Sequence, residues 1–466
     1  MRIHIIGMCG RIYAPLAKAL ADQGHLITGS DDRPMPPVSD FLTAHGLKCA
    51  LRFAPENLPD DADLVLVNAF YGVGNVEVDK ARAMGIPMDH FAHFLGDRYL
   101  SSTRNAVVTG SYGKTTTTSM LAWILFHQGL DPGWLVGGSC ENLGEYLRIR
   151  ETGPWVLEGD EYRCGADDPS PKFRHYNPSV GIVTAIDHVH QDLINSLEET
   201  EALFADFASS VKESLFVTDT PQISRVVAPH ARCTVKTVGF ESTADRRITD
   251  YRWEKGTSRF SFLGVNFLLP LRGAHSCLNA ALAVSAAEQF GISAGDSAAA
   301  LQGYLGVRER QEVLADIPDL TVIHDSGIYP RSIAQVVAGV SSSALGRRFC
   351  ILLHPRYTLG DSEIYYRELG HALSGVDLLL VADGVNIPGI RGSFEFDLES
   401  LQRHLADRQT VTPIGPAMTC FEAWRQAVQS GDVWLILTEP MFPEPVASIR
   451  AYIGQRAMPM EEPVAA

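Results

Sequence analysis

The sequence predicts an α/β protein of three domains, and three observations carry that expectation. Residues 1–100 alternate short apolar runs with helical patterns. Near residue 107 an apolar run leads into a glycine–lysine–threonine turn and then a helix. From residue 306 the strand–helix alternation begins again. The expected boundaries are 1–100, 101–305 and 306–456, with 457–466 a disordered tail. A chain of 466 residues with 45% hydrophobic content has room for roughly three cores.

In the first unit, residues 2–6 read as a strand, 14–23 as a helix, 26–29 and 64–68 as strands, and 76–84 as a helix that stops at Gly85. The first strand ends in Gly7-Met-Cys-Gly10, part of a dinucleotide fingerprint. Asp31 follows at the distance where an acidic residue takes a ribose hydroxyl. A plain tight turn explains Gly7 and Gly10 equally well.

The second unit carries Val107-Val-Thr-Gly110-Ser111-Tyr112-Gly113-Lys114-Thr115-Thr116. Gly110 and Gly113 allow a tight turn whose N–H groups point inward. Lys114 adds a mobile positive charge, and Thr115 a hydroxyl suited to Mg²⁺. The helix that follows aims its positive end at the loop. Val108 stands where the usual pattern has its first glycine, so the spacing is G-x-x-G-K-T. A strand–turn–helix junction with a surface lysine is the bland alternative. The loop predicts a protein that consumes a nucleoside triphosphate.

Two further strands end in polar clusters. Residues 155–161 close on Glu158, Asp160 and Glu161, and 180–192 close on Asp187, His188 and His190. Strand C-termini gathered on one sheet edge are where ligands bind. The carboxylates are hard oxygen ligands of the kind Mg²⁺ takes. Residues 248–271 read as antiparallel strands, and Gly273 opens a small-residue helix through Ala287. The third unit has strands at 320–324, ending in Asp325, and at 347–354, 376–382 and 433–438.

The formal net charge is −16 and no long basic run occurs, which disfavours nucleic acid as a partner. No run of about 18 apolar residues occurs, so no membrane span is expected. The apolar start breaks at Gly7 and is a strand rather than a signal peptide. Eight scattered cysteines without a C-x-x-C pair read as reduced thiols, and the expected compartment is the cytoplasm.

The order of these pieces resembles the Mur ligase family, the ATP-dependent amide-forming enzymes of bacterial peptidoglycan assembly. Thr109–Thr117 is similar to its T-G-[TS]-x-G-K-T-[ST]-T loop and Glu158–Glu161 to its E-x-D-E segment. Thr184–Asp192 is similar to T-N-I-x-x-D-H-x-D, which places His190 on a metal-site histidine. Gly273-Ala-His275-Ser276-Cys-Leu-Asn279 is similar to G-x-H-N-x-x-N-A, and Gly306–Arg310 to G-V-x-x-R. Lys172-Phe-Arg-His175-Tyr-Asn-Pro resembles the muropeptide-recycling branch, whereas His354-Pro-Arg356-Tyr-Thr is nearer the alanine-adding branch.

The resemblance implies a Rossmann-like N-terminal domain for a UDP-sugar, a central ATPase-like parallel sheet and a Rossmann-like C-terminal domain. It implies ATP and Mg²⁺ as cofactors, and as partners UDP-N-acetylmuramate with an amino acid or peptide. Lys114, Glu161 and His190 would be catalytic. Thr115, Glu161 and His190 would hold metal. Gly110–Thr116, Asn279, Arg310 and Asp325 would contact the nucleotide, and Gly7, Gly10, Asp31, Lys172, His175 and Arg356 the substrates. The chain departs from the pattern at Ala185, Val189 and Ser276. It departs again at Asp325-Ser-Gly-Ile328-Tyr329-Pro330, where the family has D-[YF]-[AG]-H-H-P. An alanine-adding ligase, a ligase for another amine and a nucleotide-binding regulator therefore stay open. So does an oxidoreductase built on the first turn. The amino substrate and the oligomeric state are not set by the sequence.

Overall fold

Ile3, His4, Ile5 and Ile6 are all buried, as a strand covered on both faces requires. The Arg2–Ile6 strand pairs in parallel with Leu26–Ser30 on one side and Leu64–Val67 on the other. Cys49–Ala50 and Met88–Asp89 complete a parallel sheet of five strands. Strand order reverses beside Arg2–Ile6, so the Gly7–Gly10 turn opens at the switch point of the sheet. His4 is a polar side chain inside this core, and it is paired. Its Nδ1 lies 2.8 Å from the Thr28 hydroxyl and its Nε2 3.1 Å from Glu77. Glu77 also accepts from the Ser30 hydroxyl, the Ala54 amide and Asn57. The Val76–Met84 helix that carries Glu77 starts on an Asn75 cap and stops at Gly85, whose φ is 69°. The computed structural model describes residues 1–457 apart from 35–37, 166, 189–193, 195, 328, 345, 356–362, 384–395, 406–409, 417–418 and 439–443.

The central sheet has ten strands built around Asn105–Thr109, every residue of which is buried. Pro178–Val183 and Trp155–Glu158 flank it in parallel. The expected parallel sheet is therefore only the middle of this one. Arg246–Glu254 pairs in parallel with Thr234–Gly239, and Thr257–Phe262 and Val265–Leu269 continue antiparallel from it to the edge. Leu147–Arg148 is antiparallel on the opposite edge. The Lys114–His127 and Ala274–Ala287 helices pack on each other. The second is alanine-rich and almost entirely buried, which permits close approach.

The third sheet runs Glu312–Ile317, Leu320–Asp325, Asp432–Leu437, Phe349–Leu353, Leu378–Val381, Thr410–Pro413. Five of these strands are parallel, and Glu312–Ile317 is an antiparallel edge. The sequence reading missed that edge because it is half exposed and lacks the continuous apolar run of a covered strand: Val313, Asp316 and Ile317 face solvent. Trp424 and Trp434 pack edge-to-face beneath the sheet. The central and C-terminal layers meet where Gly339 faces Gly273: a Cβ on Gly339 would lie 3.0 Å from the Gly273 Cα. Of the tail expected over 457–466, Ala457 instead closes the last helix, and 458–466 lie outside the described residues.

Candidate active site

The turn after Asn105–Thr109 is shaped by two glycines. Gly110 has a φ of 137°, and a Cβ there would fall 2.1 Å from the Thr184 hydroxyl and 2.8 Å from the Ala185 amide. Gly113 has a φ of 85° and would meet Asn279 Oδ1 at 2.9 Å. Only glycine allows both the backbone angles and the close approach. Ser111 locks the turn to the neighbouring strand end. Its hydroxyl donates to the Asp187 carbonyl at 2.8 Å, and its amide donates to the Ala185 carbonyl. The Thr184 hydroxyl donates to the Tyr112 carbonyl at 2.5 Å.

Lys114 Nζ donates to the Gly110 carbonyl at 2.6 Å and to both Glu161 oxygens at 3.1 and 3.0 Å. Burial opposes its charge, but the carboxylates of Glu161, Asp160 and Glu158 hold its pKa above the ordinary lysine range. Thr115 Oγ1 donates to Glu158 Oε1 at 2.9 Å, and the Gly137 amide donates to Glu158 Oε2 at 2.7 Å. Thr115, expected to share Mg²⁺ with Glu161, bonds Glu158, which adds Glu158 to the candidate metal ligands. Glu158 ends its strand beside Thr115, whereas Glu161 lies past Gly159 and Asp160 and reaches the lysine instead. Burial pushes the Glu158 carboxyl up, with Lys114 and the Gly137 amide acting the other way. A carboxylate held in a buried place beside a threonine hydroxyl is an all-oxygen donor pair, which fits Mg²⁺.

The loop lines a cavity of about 270 Å³ closed on its far side by the C-terminal sheet. Ser111, Tyr112, Gly113, Lys114, Thr115 and Thr116 form one wall, with Glu158 and Asn279 beside them. Arg310, Gln311, Asp325 and Tyr329 form the other. Asp325 is buried. It accepts from the Gln311 amide at 2.8 Å and the Gly327 amide at 2.6 Å. Burial raises its pKa, and the Arg310 charge opposes that rise. Gln311 was invisible to the sequence reading, since it follows the G-V-x-x-R pattern without belonging to it. Its side-chain Nε2 lies 2.7 Å from His275 Nε2 and donates to the Ser276 hydroxyl at 3.2 Å, joining the two walls. Burial lowers the His275 pKa to about 4, so the ring is neutral.

The remaining described residues among those expected do not line this cavity. Gly7 has a φ of 81°, and its turn approaches Asn68 and Tyr71, as does Gly10 to Asn68. Asp31 is buried and organises that turn: Oδ2 accepts from the Cys9 amide at 2.8 Å and Oδ1 from the Arg33 amide at 2.9 Å. Each oxygen thus serves the loop through one amide, which leaves acceptor capacity for the ribose hydroxyl that its spacing predicts. Lys172 pairs with Asp160 at 2.9 Å. His175 Nε2 lies 3.1 Å from Asp168 and 3.0 Å from Ser170, in the seam with the first sheet. His190, Ile328 and Arg356 lie outside the described residues.

Comparison with known proteins matches this geometry. A family model described as the Mur ligase middle domain matches residues 108–287, and one described as the Mur ligase family, catalytic domain, matches residues 2–100. The UDP-N-acetylmuramate–L-alanine ligase of Jannaschia sp. (strain CCS1) is 30% identical over 391 residues, covering 82% of this chain and 80% of that protein. The chain belongs to the Mur ligase family. Its members are ATP-dependent enzymes that form amide bonds. The UDP-N-acetylmuramate–L-alanyl-γ-D-glutamyl-meso-2,6-diaminoheptandioate ligase of Escherichia coli (strain K12) is 28% identical over 402 residues, covering 83% of this Mur ligase and 86% of the relative. The fold of this Mur ligase matches the crystal structure of a UDP-N-acetylmuramate–alanine ligase from Thermotoga maritima. The TM-score is 0.77 at 19% identity, with 98% and 99% of the two chains covered. Among the described residues no helix is long and apolar enough to cross a membrane.

Proposed function

We propose that the protein joins the carboxylate of UDP-N-acetylmuramate to the amine of L-alanyl-γ-D-glutamyl-meso-diaminopimelate, using ATP, in the cytoplasm. The observation that carries the ATP-driven step is the single cavity in which Lys114, Thr115 and Glu158 face Arg310 and Asp325. The Lys172-to-His175 segment and the 28% identical relative support the peptide as amine. Lys114 and the loop amides hold the β- and γ-phosphates. Thr115 and Glu158 are the residues that would hold Mg²⁺, which when bound reduces the repulsion between phosphate and carboxylate.

The substrate carboxylate attacks the γ-phosphorus, giving an acyl phosphate and ADP. The amine then attacks the acyl carbon, and phosphate leaves. Arg310 stabilises charge on the transferring group from the C-terminal side. Closure of the two walls excludes water, which would hydrolyse the acyl phosphate. Gly7 and Gly10 place the UDP-sugar turn at the switch point of the first sheet.

Mass spectrometry of the product formed from ATP, UDP-N-acetylmuramate and an equimolar mixture of tripeptide and L-alanine tests the proposal. A UDP-muramyl-tripeptide mass is the expected result. The alanine product alone would transfer the assignment to the alanine-adding reading, which the 30% identical relative favours. Neither product, with ADP formation unaffected by any amine, would overturn the ligase reading of this site.

A further inference from the structure

We infer that Cys164, Asp168 and His175 form a binding site for a divalent cation of the zinc class in the seam between the first two sheets. Among the described residues, the ligand atoms of these three all lie within 4.8 Å of one another. The nucleotide cavity does not include them.

The chain folds back on itself to make this cluster. The Cys164 amide donates to the Ser170 carbonyl at 2.9 Å, the Gly165 amide donates to the Asp168 carbonyl at 3.1 Å, and Arg163 bridges to Pro171. Asp168 Oδ1 accepts from both the amide and the hydroxyl of Ser170, at 2.9 and 2.6 Å. Its Oδ2 is turned toward His175 Nε2 at 3.1 Å. His175 rides on the short helical turn Lys172–Tyr176. Its carbonyl sits against Gly96, where a Cβ would come within 2.3 Å, and its ring meets His93 edge-on at 5.4 Å. The imidazole is thus fixed from behind before any ion arrives.

The Ser170 side chain bonds all three members, Asp168, His175 and the Cys164 thiol, so an incoming ion would take the place of these bonds with a soft sulfur donor that the Asp168–His175 ion pair does not use. Cys164 is only 3% exposed. One sulfur, one nitrogen and one oxygen donor is the mixture that zinc-class ions accept and that Mg²⁺ and Ca²⁺ do not. Bonds of about 2.0–2.3 Å require each ligand atom to move inward by less than about 1 Å. On binding, the thiol proton goes to solvent, His175 coordinates through Nε2 with its proton on Nδ1, and a water fills the fourth position. The site would tie down the stretch carrying Lys172, and it gives His175 a role other than substrate contact.

The test uses the full chain, stripped of metal with a chelator and titrated with Co²⁺. A thiolate-to-cobalt charge-transfer band is expected to saturate at about one equivalent. Zn²⁺ should abolish it and a large excess of Mg²⁺ should not. The band reports sulfur, so it is blind to the oxygen ligands of Thr115 and Glu158, and its outcome is independent of the ligase reading. Cys164→Ser should lose the band, whereas Cys233→Ser, at a half-buried thiol elsewhere, should keep it. If Cys164→Ser does not fold, His175→Gln carries the test and should weaken cobalt binding at least about tenfold. Absence of the band in the wild-type chain, or its persistence in Cys164→Ser, overturns the proposal, as does unchanged affinity in His175→Gln.

Discussion

The two glycine turns of this molecule have the same setting and opposite chemistry. Each follows a buried central strand of a parallel array and leads into a helix. In the first, a carboxylate faces inward: Asp31 holds the Cys9 and Arg33 amides and so fixes the shape of Gly7–Gly10. In the second, a lysine and a threonine line a cavity and are matched by Glu161 and Glu158, from the end of the neighbouring strand and the loop that follows it. Glycine spacing specifies the shape of a turn. The use of the turn is decided by the side chains that follow and by which atoms they already satisfy.

The largest effect that could break this contrast is at Lys114. Lys114→Ala should lower kcat/KM for ATP-dependent ligation by about 10³-fold in steady-state assays, with the thermal transition retained. Undiminished turnover would place the chemistry elsewhere. The two carboxylates sharpen the second turn. Glu158→Gln should raise the Mg²⁺ concentration needed for half-maximal activity by about 10–100-fold. Glu161→Gln should affect Mg²⁺ demand less and act mainly on ATP affinity, since its partner is Lys114. Equal Mg²⁺ shifts in the two variants would contradict the assignment of Glu158 to Thr115.

The first sheet should respond to acid in a way the second turn does not. Burial raises the Glu77 pKa, but bonds from His4, Ser30, Asn57 and the Ala54 amide outweigh it and leave the folded value below the ordinary carboxylate range. A depressed folded pKa contributes stability that is present above the unfolded value and lost as pH falls through the folded one. Glu77→Gln should therefore cost about 1–3 kcal/mol near neutrality. Its melting-temperature gap to wild type should narrow once the pH drops below about 4.5. A gap that stays constant to low pH would remove the charge from the explanation. The smallest effect is expected at Asp31. Asp31→Asn keeps one acceptor oxygen, and should raise KM for the UDP-sugar by less than about tenfold with kcat unchanged, costing about 1 kcal/mol.

Most strands were legible because apolar residues run uninterrupted where both faces are covered, as in Leu64–Val67 and Phe349–Leu353. The helix ending at Met84 was legible from Gly85, and the one starting at Ala274 from Gly273. The antiparallel strands around 248–271 were legible as strands. Their attachment to the central sheet was not, because pairing of Val238 with Arg246 depends on register and leaves no local pattern. Glu158 and Glu161 could not be ranked from sequence. Which of them meets Thr115 depends on where the chain leaves the strand. Gln311 left no motif at all, and the part Asp31 plays in holding the turn was hidden because its distance from the turn is the same whether it bonds a ribose, the turn or both.

The central claim, that ATP is used to make an acyl phosphate from a carboxylate, has one direct measurement. UDP-N-acetylmuramate labelled with ¹⁸O in its lactyl carboxylate is turned over with ATP and the peptide, and the released phosphate is weighed by mass spectrometry. The account predicts that one labelled oxygen passes from the carboxylate to phosphate in each turnover. Phosphate released without label, alongside an amide product, would contradict it.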